Sequence, residues 1–380
     1  MHCRRDGWRI ERQRARDRIG EPFQDCPVHD RCRGQRRRET MRGVVYLGES
    51  EVEVRDFPDP EPGHGQVVVE MKVGGLCGSD LHKYHNTREW AESREGMISG
   101  HEPTGVVAEV GAGVVNVKVG DRVCVYHRVG CGHCVECASG TPAHCPTGGA
   151  FGRTQDGSHA DYMLTESRYC LPLPESLSFE VGTQLACTAG TAFAGASKIS
   201  ANAGDWYVVF GLGPVGMTAL LTGQGMGYRT IGVDVQAYRV DLAKRVGNGA
   251  VIDASQEDPV EAIRELTGGK GAAGVVECSG NGKARFQAAQ VAGRKGTVVY
   301  VGAGASDLAI NIGDLIGKDI TIRGNSVYPV GAYYEAVEFL QRNEVPLDDI
   351  VTHRYTIDQA VEAFRTFDAG ETGKVVFEWT

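Results

Sequence analysis

Four cysteines, Cys131, Cys134, Cys137 and Cys145, fall within fifteen residues. Two CxxC steps followed one loop later by a fourth thiol suit a tetrahedral zinc ion closed on all four sides. Gly130, Gly132 and Gly140 permit the tight turns that aim four sulfurs at one point. A disulfide framework or a redox CxxC would use the same residue type. Disulfide frameworks belong to small secreted domains, whereas this chain has 380 residues and shows no secretory signal pattern. Zinc is therefore the expected occupant.

A second constellation pairs Cys77-Gly-Ser79-Asp80-Leu-His82 with Gly100-His101-Glu102-Pro-Thr-Gly105. Thiol, imidazole and carboxylate are metal-donor types, although a lone cysteine or histidine is more often a packing residue. A third is Gly211-Leu-Gly213-Pro214-Val215-Gly216, which follows an apolar strand and opens a helix. In that context the first glycine makes the turn, the second admits a pyrophosphate, and the third packs helix on strand. The free N–H groups and positive dipole of the helix N-terminus then suit phosphate. Asp234 closes the next strand, 18 residues after Gly216, where a carboxylate accepts from ribose hydroxyls and repels a 2′-phosphate. NAD is expected over NADP; Arg239 nearby keeps NADP open, and a simple helix-capping role for Asp234 is the alternative.

These groups need two kinds of scaffold. From Met41 to about Tyr162 the pattern is β-rich with Gly and Pro punctuation, including strands at 67–73, 106–110 and 119–125. From about Gly190 short buried-type strands begin near residues 207, 230, 250, 274, 297 and 320, with helical segments separating the first five. That arithmetic predicts a doubly wound parallel sheet. The tail reads as a helix over 332–342, a strand near 352–355, a helix over 357–366 and a strand over 374–378, rejoining the first domain. The expected division is 41–188 with 328–380 for the metal-binding domain, and 189–327 for the dinucleotide-binding domain.

Composition narrows the class. Hydrophobic residues make up 41% and charged residues 23%, the balance of a soluble globular protein. A net charge of −9 argues against a nucleic-acid partner, and no apolar run reaches the length of a membrane span. Cysteines grouped like metal ligands suggest a reducing, cytoplasmic setting. Residues 1–40 hold 12 arginines and 7 acids, while the rest of the chain carries 28 basic and 42 acidic side chains. Lacking apolar periodicity, this stretch, with Cys3, Cys26 and Cys32, is expected to be a disordered extension or a start-site artefact.

Gly100-His101-Glu102, Gly105, Gly111 and Val114 match every fixed position of the zinc signature of the medium-chain dehydrogenase/reductase family. Across residues 41–380, the four-cysteine lobe included, the chain resembles the zinc-dependent alcohol dehydrogenases of that family. The resemblance implies an α/β chain, with a β-rich GroES-like catalytic domain and a doubly wound Rossmann domain. It also implies that Cys77, His101 and Cys187 hold a catalytic zinc with one position open. Glu102 is then an acidic neighbour able to approach the metal, and Asp80 orients His101. Ser79 takes the alcohol proton and His82 relays it, a plain surface histidine being the alternative for the latter. Thr191, Gly280, Val301 and Gly302 bracket the nicotinamide.

Zinc lowers the pKa of bound water from about 15.7 to about 7, and a bound alcohol is acidified similarly, ready to give hydride to NAD. The resemblance also suggests a homodimer or homotetramer. Gly78 fits the polyol and threonine dehydrogenase branches, whereas Cys187 does not, since those branches usually place an acid there. His127, four residues before Cys131, points to a polar substrate. The expectation is an NAD-dependent alcohol dehydrogenase with two zinc ions per chain, acting on a primary, secondary or polyol substrate. Its rivals are a polyol or threonine-type dehydrogenase, a carbonyl reductase running in reverse, and a non-catalytic zinc- and nucleotide-binding protein.

Overall fold

The computed structural model describes residues 40–94, 96–304 and 310–380, so the expected N-terminal extension, Thr40 apart, lies outside the described residues. The first strand, Thr40–Gly48, pairs antiparallel with Glu51–Pro58. Gln66–Gly75 is the centre of a second sheet, its Val67, Val68, Val69 and Met71 fully buried. In order across that sheet lie Val351–Tyr355, Lys374–Glu378, Gln66–Gly75, Pro103–Val110, Arg122–Val125 and Cys170–Pro172, with Tyr162–Glu166 also pairing Gln66–Gly75. The last strand of the chain thus lies against a strand some 300 residues earlier, with Val376 opposite Gly75.

Six strands form a wholly parallel sheet: Trp206–Phe210, Arg229–Asp234, Ala250–Asp253, Ala272–Glu277, Ala292–Tyr300 and Thr321–Gly324. Numbered by chain position, their spatial order is 3-2-1-4-5-6, the doubly wound dinucleotide-binding arrangement. The direction reverses between Trp206–Phe210 and Ala272–Glu277, so a crevice opens beyond the carboxyl ends of these two strands.

Three boundaries differ from the sequence reading. A helix, Ile312–Lys318, also separates the fifth and sixth strands. The strand expected from Val119 begins at Arg122, because Gly120 takes φ +92° and Asp121 accepts from the Lys118 N–H to close a turn. The expected helix over 357–366 starts as one 3₁₀ turn, Ile357–Gln359, and continues as Ala360–Ala369 until Gly370 ends it in the left-handed region.

Helices Phe179–Ala186 and Thr188–Ala196 join the two sheets. Every residue of the second helix is buried, so neither of its faces is free to move independently of the core. A single apolar cluster runs from Val67 and Met71 through Leu185, Ala189 and Ala192 to Leu212 and Met217.

Fully buried His159 donates to the Gly75 carbonyl at 3.2 Å and accepts from Ser99 Oγ at 3.0 Å, and burial holds its pKa down to about 4. Below its ordinary value of 6.5 the unfolded chain takes up a proton that the folded chain refuses until about pH 4. Stability therefore falls as pH is lowered through that window, by about 3 kcal/mol at most for this group. The melting temperature should drop more between pH 7 and pH 5 in the wild type than in His159→Gln. An equal drop in both would exclude His159 as the cause.

Candidate active site

Cys77 sits where strand Gln66–Gly75 gives way to helix Gly78–Tyr84, and its backbone N–H donates to Asp80 Oδ2 at 3.0 Å. His101 immediately precedes strand Pro103–Val110. A Cβ at Gly100, whose φ is +91°, would overlap the His159 ring, so the backbone can bring His101 in only with glycine before it. Cys187 is the joint between helices Phe179–Ala186 and Thr188–Ala196, its φ of −143° breaking the helical path and turning the thiol inward. Donor atoms of Cys77, His101, Glu102 and Cys187 all lie within 4.8 Å of one another, and all four residues are buried. Two thiols, an imidazole and a neighbouring carboxylate are a donor set suited to zinc.

The electrostatics favour the thiolate at Cys77 and the protonated forms of Cys187 and His101, so a zinc ion binding here would displace protons. A hydrogen bond with Cys187 holds the Cys77 thiol well below the usual thiol range against its burial, His101 helping, while Cys187 is pushed up in turn. Asp80, fully buried, accepts from His101 Nδ1 at 3.0 Å, which leaves Nε2 as the nitrogen available to a metal. Burial works against the imidazolium, but the Asp80 charge outweighs it and raises the His101 pKa to about 10. Ser79 Oγ lies 3.2 Å from His101 Nε2 and is exposed. His82, one turn further along the helix, is exposed, and its side chain makes no hydrogen bond among the described residues.

Glu102 has a partner that the sequence did not suggest. Lys374, also fully buried, donates to Glu102 Oε2, to the Leu76 carbonyl at 2.9 Å and to Thr188 Oγ1 at 3.2 Å. Thr188 Oγ1 in turn donates to Glu102 Oε1 at 2.6 Å. Burial pushes the Glu102 carboxyl up and the Lys374 charge pulls it back. The only sequence signal was a lysine opening a strand of otherwise apolar texture. His127 faces the same cleft, its ring centroid 5.7 Å from that of His101. Its Nδ1–H donates to the Ala186 carbonyl at 2.6 Å, and burial holds its pKa down to about 3, so its Nε2 is a permanent acceptor.

Cys131, Cys134, Cys137 and Cys145 form a separate cluster, their sulfurs within 4.8 Å of one another. The Cys131 N–H donates to Cys145 Sγ at 3.3 Å and the Cys134 N–H to Cys131 Sγ at 3.4 Å, and the first of these lowers the Cys145 pKa to about 6. Gly132 and Gly140 take φ +85° and +78°, as the turns require. Tyr169 and Arg168 pin the lobe by donating to the Gly130 carbonyl, each at 2.8 Å. All nine cysteines of the described residues are free, which leaves no disulfide among them.

At the crevice of the parallel sheet, Gly211 has φ +82°, and a Cβ at Gly216 would collide with the Gly211 carbonyl. Pro214 and Val215 occupy the first turn of helix Pro214–Gly225. Asp234 accepts from the Leu212 N–H at 2.6 Å and the Gln236 N–H at 2.9 Å, so it braces the glycine loop. Gln236, not Asp234, is the N-cap residue of the next helix, Ala237–Val246, so the capping alternative does not describe this carboxylate. The Arg239 guanidinium lies beside Gly213 and reaches the Thr372 carbonyl at 3.4 Å. Gly280, at φ +70°, packs on the segment just after Val301 and Gly302, whose N–H groups donate to the Glu277 carbonyl. Thr191 lies on the buried helix that starts just after Cys187. This cradle suits a dinucleotide pyrophosphate.

Comparison with known proteins agrees with this architecture. Residues 63–175 match the alcohol dehydrogenase GroES-like domain, and residues 214–342 match the zinc-binding dehydrogenase family. The chain is 37% identical over 355 residues to the uncharacterized zinc-type alcohol dehydrogenase-like protein YphC of Escherichia coli, covering 90% of this chain and 99% of that protein. It is 33% identical over 345 residues to the sorbitol dehydrogenase of Halalkalibacterium halodurans, covering 88% and 98%. The structure superposes on alcohol dehydrogenase TADH from Thermus sp. ATN1 with a TM-score of 0.81 at 27% identity, covering 89% and 99%. The chain belongs to the zinc-type medium-chain alcohol dehydrogenase family, a class of oxidoreductases. No helix among the described residues is long and apolar enough to cross a membrane.

Proposed function

We propose that this protein oxidises an alcohol group of a polyhydroxylated small molecule with NAD, using zinc held by Cys77, His101 and Cys187. The observation that carries this reading is the convergence of those three donors and Glu102 within 4.8 Å in a cleft faced by the neutral His127. A zinc ion held by Cys77, His101 and Cys187 would supply Lewis acidity toward the substrate hydroxyl, and a bound nicotinamide would supply the hydride acceptor. Asp80 fixes the His101 tautomer, Ser79 receives the substrate proton, and His82 passes it to solvent. Asp234 holds the ribose, which favours NAD. His127 Nε2 accepts from a second hydroxyl, which supports a polyol over a simple alcohol. The reverse reduction is the same step run backward, and physiological concentrations set its direction. The functional unit is proposed to be a homodimer or homotetramer.

The test is NADH formation over a panel of alcohols, polyols and hydroxy acids, with metal content measured on the same preparation. Two zinc ions per chain and turnover of a polyol are expected. Full zinc occupancy without turnover of any panel member would leave a non-catalytic zinc- and nucleotide-binding role. A closed four-thiolate shell has no position for substrate, so the Cys131 cluster is assigned a structural role. Cys131→Ala should lower zinc content to one ion and lower the melting temperature, with activity lost as a consequence. A stable, fully assembled variant lacking only hydride transfer would contradict that division.

A further inference from the structure

Glu277 is the last residue of strand Ala272–Glu277, opposite Phe210, and it is fully buried. Its carboxylate folds back on the turn that follows. Oε1 accepts from the Ser279 N–H at 2.7 Å, from the Ser279 hydroxyl, and from the Gly280 N–H at 3.0 Å. Oε2 shares the Gly280 N–H at 3.3 Å. On the other side stands Arg285 of helix Gly282–Val291, largely buried, with Nε 3.7 Å from Oε2. The same guanidinium donates from Nη2 to the Gly302 carbonyl at 2.7 Å. Burial pushes the Glu277 carboxyl up, and the Ser279 and Gly280 donors and Arg285 pull it back.

One side-chain pair thus ties together the turns that follow the fourth and fifth strands of the parallel sheet. Those turns touch backbone to backbone, since a Cβ at Gly302 would meet the Gly280 nitrogen. The first of them also abuts the glycine loop after the first strand, where a Cβ at Gly211 would meet Ser279. In a sheet ordered 3-2-1-4-5-6 a dinucleotide lies across the reversal between strands 1 and 4, one mononucleotide to each half. Asp234 closes the second strand, so the adenosine ribose belongs to the 3-2-1 half. The nicotinamide half is then left to the ends of strands 4, 5 and 6. Asn325, just past the sixth strand, donates to the Thr191 carbonyl at 3.1 Å, on the helix that starts after Cys187. That half of the crevice is therefore the one joined to the metal-donor side.

We infer that Glu277 and Arg285 are positioning residues for the nicotinamide half of the dinucleotide. They hold the turns over residues 278–281 and 301–304 in the shape that receives it, without touching the reacting atoms. The inference rests on the dinucleotide-dependent dehydrogenase reading. A buried carboxylate matched to three donors and a guanidinium is stiff, because losing any partner strands charge out of water. A brace that served folding alone would support the binding of both halves of the dinucleotide equally.

That difference sets the test. Calorimetry compares NADH with ADP-ribose, which lacks the nicotinamide and keeps the adenosine, pyrophosphate and second ribose. Arg285→Met removes the bond to Gly302 and the charge beside Glu277 while keeping an unbranched apolar side chain. It should weaken NADH about tenfold or more and leave ADP-ribose within about threefold of the wild type. Glu277→Gln keeps the shape and removes the other charge, so it should change the ratio of the two affinities in the same direction; it is read alone if Arg285→Met does not fold. Equal weakening of both ligands, or an NADH affinity unmoved in a folded variant, would overturn the inference and leave the dehydrogenase reading standing. A wild type that binds neither ligand would defeat that reading and the inference with it.

Discussion

Cys77→Ala should reduce zinc content from two ions to one per chain and lower NADH formation by at least about a thousandfold, while the chain stays folded. The physical reason for the separation is that the fold uses the Cys77 backbone and the chemistry uses its sulfur. The N–H that meets Asp80 Oδ2 survives in alanine, so the start of helix Gly78–Tyr84 keeps its cap. The thiolate does not survive, and with it goes one of three donors and the partner that shares a proton with Cys187. Metal analysis and circular dichroism on the same sample check both halves. Turnover retained at one zinc per chain would show that the metal doing the chemistry sits elsewhere.

Lys374→Met should be nearly as damaging by a different route. Its ammonium is fully buried and its three N–H donors are matched to Glu102, Leu76 and Thr188. Removing one partner of a buried ion pair costs about 3–5 kcal/mol, because the other charge is left uncompensated. A loss of that size should lower the melting temperature by about 4–6 °C in a chain of this length. Activity should fall too, because a Glu102 without its tether either takes up a proton or moves toward the thiols and imidazole that its carboxylate already neighbours. Adding Glu102→Gln to Lys374→Met should recover most of the lost stability, since the stranded charge is then gone. Recovery of less than a third would mean that Lys374 acts by filling space. A single variant melting within about 2 °C of the wild type would remove the ion pair from the account altogether.

The residues differ in how visible these roles are in one dimension. Cys131, Cys134, Cys137 and Cys145 could be grouped from spacing because their turns close within a few residues, and the fold brings their sulfurs together. Gly211, Gly213 and Gly216 were legible for the same reason: strand, turn and helix follow one another directly. Cys187 was reachable only through family resemblance, since its place depends on a break between two helices packed across both sheets. Lys374 and His159 were not singled out. Lys374 meets Glu102 across 272 positions and His159 meets Gly75 across 84, and no periodicity encodes either encounter.

The sequence by itself determined the local pieces of this protein: the four-thiol lobe, the glycine loop, and the alternation of strand and helix that makes a doubly wound parallel sheet. Each depends on groups a few residues apart, where chain geometry alone limits the outcome. Only the tertiary structure decided which buried charges face one another. Gly75 opposite Val376 brings Lys374 behind Glu102. Such encounters join segments hundreds of residues apart, and their energies depend on burial and distance, which exist only once the sheets have packed.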